Sequence, residues 1–328
     1  MSKVNAAIST PNQMGGAAFQ LLQSGLKTNS LRTNNVLRKQ EWQDLDTRLV
    51  EIANRRLNGI ADLRDAGLTV SLGGLGTTVS QYEALSDMTP ADVNMSGVSQ
   101  GEQDDAQFDL RSVPVPIIHK DFSLNIRRLE ASRKLGDSVD LTQGEVAMEK
   151  VIEGEESLLF KGSSLQIEGN RIYGYTTHPN RITGTAPGGW SDIKNIYPTV
   201  TEMIKDAQVD RQYGPYILYV AGDVWNYLQS RYDDGSGQTA LQSLENIREL
   251  QSIKPADELE GGELVLVQMN RRTVDLAIAQ DVSTIEWDSY GGMQFNFKVM
   301  SAMVPRIKPD FDGRLGIVHY TGANAEVE

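Results

Sequence analysis

The best-defined long helical pattern in the chain runs from Thr142 to Lys161 and, with the following Gly162, reads TQGEVAMEKVIEGEESLLFKG. Its apolar residues recur at the spacing of one helix face, whereas glutamates fill most of the other positions. Thr142 and Glu145 form a capping-box pattern, and Gly162 is typical of a helix end. Gly154 costs roughly 1 kcal/mol relative to alanine, which favours a bend or a close neighbour there. The sequence therefore predicts one long amphipathic helix.

Strand patterns lie on both sides of this helix. Val115–Ile126 and Met293–Met300 alternate apolar and polar residues, as half-buried strands do. The other strand candidates are Tyr216–Val220, Glu263–Met269, Val274–Ala279 and Leu315–Tyr320, and the other helix candidates are Arg38–Ala66, Asp192–Val209, Gly222–Arg231 and Leu241–Leu250. Because strands and helices are partly segregated along the chain, the pattern predicts an α+β fold.

The stretch from Gly67 to Leu110 has a different character. From Glu83 to Asp109 it contains seven acidic residues and no basic residue. About 40 residues without a core face are unusual inside a compact domain, so this stretch is either disordered or an extended arm that packs on something else. Alternation at Thr78–Ser80 and at Phe108–Val113 predicts a long two-stranded loop.

The formal net charge of −13 is unevenly distributed. Residues 1–64 contain nine basic and five acidic residues, a net charge of +4, and the rest contains 22 basic and 39 acidic residues, a net charge of −17. The basic arm either meets a polyanion or is a helix whose charges are solvated. A charge of +4 suits weak, non-specific contact with nucleic acid at most.

Several classes of function find no support in the composition. The chain has no cysteine, which excludes disulfides and thiolate zinc sites. His119, His178 and His319 are far apart in the sequence and form no ligand motif. Gly73–Gly76 lacks the Lys-Ser/Thr that a phosphate loop requires. We therefore expect no catalytic residue, no metal site and no cofactor.

The sequence also bears on location. No stretch approaches the ~18 consecutive apolar residues of a membrane span. Residues 1–23 lack a charged region followed by an apolar core, which is the pattern of a secretory signal. We expect an intracellular protein.

A series of short segments resembles one known family and follows the family's order. The segments are Trp42–Asp46, Asn54–Leu57, Arg64–Gly67, Phe122–Glu130, Glu155–Gly162, Ile172–Tyr175 with Pro179, and Tyr213–Tyr216. They resemble the Hong Kong 97-type bacteriophage major capsid proteins, most closely the encapsulin branch, over roughly Leu31–Gly322. The chain departs from the family in about 30 additional residues before the first helix, in the missing Gly-Pro near Gly67, and in its long acidic loop.

The resemblance implies a domain organisation for the α+β fold. It predicts an N-terminal arm and helix (1–66), an extended loop (67–113), a peripheral domain with a long spine helix (114–191), an axial domain (192–293), and C-terminal strands that return to the peripheral domain (294–328).

The resemblance also implies that the chain is a shell subunit and not an enzyme. The first reading is a phage major capsid protein that forms pentamers and hexamers around double-stranded DNA. It would be assembled in the host cytoplasm, would reside in the virion, and would have portal or scaffold proteins as possible partners. The second is an encapsulin shell around a cargo enzyme. The third is a soluble enzyme with an unrecognised site. The additional basic arm favours the first.

Subunit contacts follow from the same resemblance. Each loop would lie on a neighbour's spine helix, and the acidic loop would seek basic residues. The expected contact residues are Trp42, Glu102, Asp104, Asp105, Arg127, Arg128 and Arg133. Some capsids of this fold join subunits by an isopeptide bond from a loop lysine. No lysine occurs between Lys39 and Lys120, so we expect non-covalent shells.

Overall fold

We describe the chain from a computed structural model, whose described residues are 30–32, 58–85, 95, 108–135, 142–167, 169–232 and 237–324. Their strands are β1 (Ser30–Arg32), β2 (Thr69–Ser71), β3 (Val79–Leu85), β4 (Phe108–Pro114), β5 (Ile117–Asn125), β6 (Gly162–Ile167), β7 (Asn170–Tyr173), β8 (Ile182–Thr185), β9 (Tyr216–Ala221), β10 (Leu250–Ala256), β11 (Leu264–Gln268), β12 (Val274–Ser289), β13 (Gln294–Ile307) and β14 (Ile317–Thr321). Their helices are α1 (Asn58–Asp65), α2 (Ile126–Leu135), α3 (Thr142–Phe160), α4 (Ile196–Val209), α5 (Gly222–Trp225) and α6 (Ala240–Glu245), with 3-10 turns at Ile193–Asn195 and Asn226–Gln229.

The first sheet is covered by the long helix α3. Its strand order is β1-β12-β13-β5, and β2 also pairs with β12. The alternation in β13 places Phe295, Phe297 and Val299 in one buried cluster with Val151 and Ile152 of α3. This burial of the apolar stripe stabilises the helix, because helices in proteins depend mainly on packing of their apolar face.

Gly154 allows α3 to lie close to the sheet. A Cβ atom at this position would lie 3.0 Å from Cγ2 of Ile118 on β5. The close neighbour that the sequence suggested for Gly154 is confirmed.

Phe122 of β5 stacks on Phe297 of β13, with 4.9 Å between the ring centroids.

The helix α3 ends where the backbone at Gly162 passes close to the backbone at Gly174. Gly162 has a φ of +73°, which glycine adopts readily. A Cβ atom on Gly174 would lie 2.4 Å from the backbone nitrogen of Gly162, so the two segments can approach only without side chains. The helix end predicted at Gly162 is confirmed.

The second sheet contains the larger core. Its strand order is β10-β9-β11-β14-β8. The strands β9 and β11 are buried along their whole length, as the continuous apolar runs of strands covered on both faces predict. The helix α4 covers this sheet with Val200, Met203 and Ala207, all of which are fully buried.

The two longest strands connect the two cores. The β12–β13 hairpin contributes Val274, Leu276 and Met303 to the core of the second sheet, and it contributes Phe297 and Val299 to the cluster under α3. The sequence predicted shorter strands here, because the apolar alternation is interrupted after Ala279 and after Met300.

Strands β3 and β4 form a separate antiparallel hairpin, with Val79 opposite Pro114 and Leu85 opposite Phe108. This confirms the predicted two-stranded character of the loop in its described part. Residues 86–94 and 96–107, between the two strands, lie outside the described residues.

Some predicted elements differ from the structure. The helix expected at Gly222–Arg231 is the single turn α5 followed by a 3-10 turn. The helix expected at Leu241–Leu250 ends at Glu245, and β10 begins at Leu250. The hairpin of β6 and β7 was not predicted. Near the C-terminus, β13 pairs with β5, whereas β14 pairs with β11 and β8.

Candidate assembly surfaces

Four of the seven predicted contact residues cannot be placed. Trp42, Glu102, Asp104 and Asp105 lie outside the described residues. The structure therefore leaves their contacts as a prediction.

The other three predicted contact residues lie on α2, at the end of β5. Arg127 and Arg128 are exposed, and Arg133 belongs to the last turn of the helix. The helix begins where the backbone N–H of Arg127 donates to Oδ1 of Asn125, at 2.9 Å. The three arginines thus belong to one helix.

A buried ion pair holds the β3–β4 hairpin to the body of the subunit. Asp275 on β12 lies opposite Arg306 on β13, and both are buried. Nε and Nη2 of Arg306 each donate to one oxygen of the Asp275 carboxylate, at 2.7 Å. Nη1 of Arg306 donates to Oγ of Ser80, at 3.2 Å, and to the carbonyl of Gln81, at 3.1 Å.

Further contacts fix the same hairpin. The hydroxyl of Tyr82 donates to the carbonyl of Ile307, at 3.1 Å. Lys308 lies over the ring of Tyr82, 5.9 Å from its centroid, and donates to Oδ2 of Asp275, at 2.5 Å. The described part of the hairpin is therefore held in one direction relative to β13.

We call the Asp275–Arg306 ion pair, with its contacts to Ser80 and Gln81, the anchor. The sequence analysis did not predict it, although the sequence contains a signal for it. Asp275 and Arg306 are opposite charges that each interrupt an apolar strand run, VDLAIA and SAMVPRI. A charge inside such a run is costly unless it is paired, so the two residues could have been predicted to meet.

A second polar junction joins α3 to α1. The carboxylate of Glu156 accepts the backbone N–H of Gly59, at 2.8 Å, and that of Ile60, at 3.4 Å. A carboxylate is favourable at a helix N-terminus, where the N–H groups have no partner in the helix. Burial is the largest effect on this acid, and it raises the pKa of Glu156 to about 7.

Asp62 of α1 lies at the same junction. It accepts the hydroxyl of Tyr219 on β9, at 2.8 Å, and forms an ion pair with Lys254 on β10. The helix α1 is therefore tied to both α3 and the second sheet by polar contacts, in addition to the burial of Ile60 and Leu63.

The neighbouring acid, Glu155, lies on the side of α3 that faces β13. Its side chain is buried, and its oxygens have no hydrogen-bond partner among the described residues. Burial raises the pKa of Glu155 from 4.5 to about 7, with smaller opposing effects from Ser301 and Arg64. The ionised form of this side chain is therefore unfavourable in the folded subunit.

Within the ranges that the structure covers, no group of three or more His, Asp or Glu side chains could hold a metal ion. No helix in those ranges is long and apolar enough to cross a membrane.

Comparison with known proteins gives one family and several similar structures. The family described as "Family of unknown function (DUF6260)" matches residues 30–320. The type 1 encapsulin shell protein EncA of Myxococcus xanthus (strain DK1622) is 28% identical over 283 residues, which are 84% of this chain and 92% of that protein.

Two solved structures have a similar fold. The virus-like particle from Pyrococcus furiosus superposes with a TM-score of 0.64 at 17% identity, covering 85% of this chain and 98% of that chain. The capsid of Myoviridae phage XM1 superposes with a TM-score of 0.63 at 14% identity, covering 80% and 92%. At these identities the likeness is one of fold.

The anchor predicts a large loss of stability when one partner is removed. Asp275→Ala leaves the buried Arg306 and the half-buried Lys308 without their acid, and we expect a loss of about 3–5 kcal/mol in the free energy of unfolding. The measurement is urea denaturation of unassembled subunits. Asp281→Ala on the same strand is the control, because Asp281 pairs with the exposed Arg64 and exposed pairs contribute about 0–1 kcal/mol. Equal losses for the two variants would contradict the prediction.

The buried acids predict a pH dependence. Because the folded pKa of Glu155 is raised above its unfolded value, its destabilising charge is absent at about pH 4.5 and appears as the pH rises through 7. Glu155→Gln should therefore raise the unfolding temperature at pH 8 and reduce its fall between pH 5 and pH 8. The exposed Glu202→Gln on α4 is the control. Unfolding temperatures of Glu155→Gln that match the wild type at both pH values would argue against a buried ionisable acid.

Proposed function

On the premise that this chain belongs to the DUF6260 family and is a shell-forming protein with the Hong Kong 97-type capsid fold, we propose that it is a phage major capsid protein whose shell encloses double-stranded DNA. The observation that carries the shell function is the anchored β3–β4 hairpin, which is part of neither large sheet. EncA is a shell protein, and we propose that this chain has a structural role and no enzymatic activity.

The mechanism of assembly is burial between copies of the chain. A two-stranded hairpin is marginal in water by itself, so the loop gains stability when it packs on another subunit. We propose that it lies on the peripheral domain of a neighbour, which comprises residues 114–191 and includes the spine helix α3. Obligate assemblies commonly bury more than ~2,000 Å² per interface, and many such contacts repeated by symmetry give a stable closed shell.

The arginines of α2 form the proposed basic side of one contact. Arg127 and Arg128 are exposed there, and acidic residues of a neighbour's loop are suitable partners for them. Arg133 belongs to the same helix, and we include it in the proposed contact. Electrostatic complementarity of this kind sets the register of an interface more than its affinity.

The proposed content of the shell is DNA because of the N-terminal arm. Residues 1–64 have a net charge of +4, whereas the remainder of the chain has a net charge of −17. A basic arm can neutralise phosphates without reading the base sequence. On this proposal the chain is assembled in the host cytoplasm, resides in the virion, and has a portal or scaffold protein as a partner.

A second candidate content is a cargo protein. The observation that favours it is the similarity to an encapsulin shell protein over most of both chains. The two candidates share the shell and differ in what the shell encloses.

The shell and its content can be tested together. Purified protein should sediment as large particles and appear as closed shells by electron microscopy. After nuclease digestion of the exterior, shells from infected cells should retain DNA, and the ratio of absorbance at 260 and 280 nm should show it. A subunit that stays monomeric would contradict the shell. Shells with a single co-purifying protein and no nucleic acid would instead support the cargo candidate.

The absence of lysine between Lys39 and Lys120 predicts a non-covalent shell. Shells boiled in detergent should give one band at the monomer mass of 36.2 kDa on a denaturing gel. Mass spectrometry of tryptic peptides should find no branched peptide. A ladder of multimers that persists after boiling would contradict the prediction.

A further inference from the structure

A cleft of about 760 Å³ opens where four segments of the subunit meet. The segments are β3, the chain after α4, the turn between β11 and β12, and the chain after β13. This volume is typical of small-molecule sites in proteins, which measure about 300–1,000 Å³. We call it the four-segment cleft.

Buried hydrogen bonds hold two walls of the cleft in fixed positions. Gln268, at the end of β11, donates through Nε2 to the carbonyl of Tyr213, at 2.9 Å, and its Oε1 accepts the hydroxyl of Thr273, at 2.7 Å. Gln268 and Thr273 are both buried. The backbone N–H of Met269 also donates to the carbonyl of Pro215, at 2.9 Å. The two walls are therefore preorganised, which lowers the entropic cost of binding a ligand between them.

The turn between β11 and β12 presents two consecutive arginines at the cleft. Oδ1 of Asn270 accepts the backbone N–H of Arg272, at 3.2 Å, and the carbonyl of Asn270 accepts that of Thr273, at 2.9 Å. Arg271 and Arg272 are both exposed. Nη2 of Arg271 donates to the carbonyl of Gly67, at 3.2 Å. The guanidinium of Arg272 takes part in no hydrogen bond or ion pair within the described part of the chain. Neighbouring guanidinium groups with available N–H donors match the geometry of phosphate oxygens.

The acidic residues of the cleft are of two kinds. Five basic and four acidic residues are among the described residues that line it. Two of the acids are engaged in their own loop, because Oδ1 of Asp310 accepts the backbone N–H of Arg314, at 2.6 Å, and Asp312 pairs with the Arg314 side chain, at 3.2 Å. The carboxylates of Glu83 and Asp210 have no such contact among the described residues. They are suitable acceptors for ribose hydroxyls, whereas they repel a bare phosphate chain.

Two exposed aromatic side chains also line the cleft. Tyr213 is 64% exposed, and Phe311 is 42% exposed. An aromatic ring in this setting can stack on a nucleobase of any identity, because every base has a π-face. The bond from Gln268 fixes the backbone that carries Tyr213.

The wall formed by the chain after α4 has an unusual residue at its bend. The backbone N–H of Gln212 donates to the carbonyl of Ala207, and that of Arg211 donates to the carbonyl of Gln208, both at 3.0 Å. This is the Schellman pattern of a helix end, in which glycine is usual at the position that Arg211 occupies with a φ of +59°. A side chain at this position has a conformational cost. Its presence on a cleft wall favours a role in binding.

We infer that the four-segment cleft binds a nucleoside phosphate, with Arg271 and Arg272 on the phosphates and Tyr213 against the base. The inference goes beyond the proposed shell function and does not depend on it. Arginine pairs, exposed aromatic rings and available carboxylates together fit a ligand that has phosphate, base and sugar. The same chemistry occurs in a free nucleotide and in a strand of nucleic acid.

Calorimetric titration of the purified full-length protein tests the phosphate contact. ADP should bind, whereas adenosine and inorganic pyrophosphate, which each lack part of the ligand, should bind at least about tenfold more weakly. Arg272→Ala should weaken the binding of both ADP and pyrophosphate by about tenfold, as the loss of one charge-assisted contact does. Arg248→Ala is the control, because Arg248 is exposed and does not line the cleft. Circular dichroism checks folding.

The base contact is tested separately. Tyr213→Leu should weaken the binding of ADP by about tenfold, because stacking on the base is lost, and it should leave the binding of pyrophosphate unchanged. Tyr197→Leu on α4 is the matched control, since Tyr197 is 43% exposed and lies outside the cleft. A variant that had lost its fold would lose pyrophosphate as well.

An oligothymidylate of about eight nucleotides separates the two sources of the ligand. Tighter binding of this strand than of ADP, weakened by Arg272→Ala, would support the inference with a strand as the ligand. Tighter binding of ADP would support it with a free nucleotide.

Three results would overturn the inference. The first is no binding of ADP or of the strand at millimolar concentration. The second is binding that neither Arg272→Ala nor Tyr213→Leu weakens, and the third is pyrophosphate that binds as tightly as ADP. If ADP does not bind and Arg272→Ala fails to assemble, the cleft belongs to a contact between subunits. Shells formed by a protein that binds no nucleoside phosphate would leave the proposed shell function intact.

Discussion

The buried carboxylate of Asp275 is the constraint on which the rest of the subunit depends. A fully buried charge requires a close and well-oriented partner, and the register of β12 and β13 supplies Arg306 directly opposite it. Arg306 then uses its third nitrogen to hold Ser80 and the carbonyl of Gln81. The same contacts of Arg306 therefore depend on the strand register, neutralise the buried charge and fix the direction of the β3–β4 hairpin. Subunit contacts that repeat by symmetry require a hairpin of fixed direction.

Periodic features could be predicted from the sequence, and features made by distant residues could not. The helix α3, the buried strand β9 and the alternation of β13 follow from local patterns of apolar residues. The strands β6, β7 and β10 carry no clear alternation and are defined by their pairing partners. The anchor joins Ser80, Asp275 and Arg306, so its geometry depends on the sheet register, although the isolated charges in apolar runs pointed to a pair.

The junction at α1 shows a different balance of forces. Glu156 satisfies backbone N–H groups of Gly59 and Ile60, and this contact partly offsets the cost of burying its charge. Glu155, one residue earlier, accepts no backbone N–H among the described residues. Adjacent acids on a helix point in different directions. Glu156 therefore connects α3 to α1. Glu155 instead makes the stability of the packing between α3 and the sheet depend on pH.

The length of the β12–β13 hairpin has a mechanical consequence. Its strands have 16 and 14 residues and reach from the core of the second sheet to the cluster under α3. A force that pulls the two cores apart along these strands would be carried by two covalent backbones in parallel, because both strands extend into both cores. A wall built from such subunits would therefore resist stretching within each subunit, and the weaker points under tension would be the contacts between subunits.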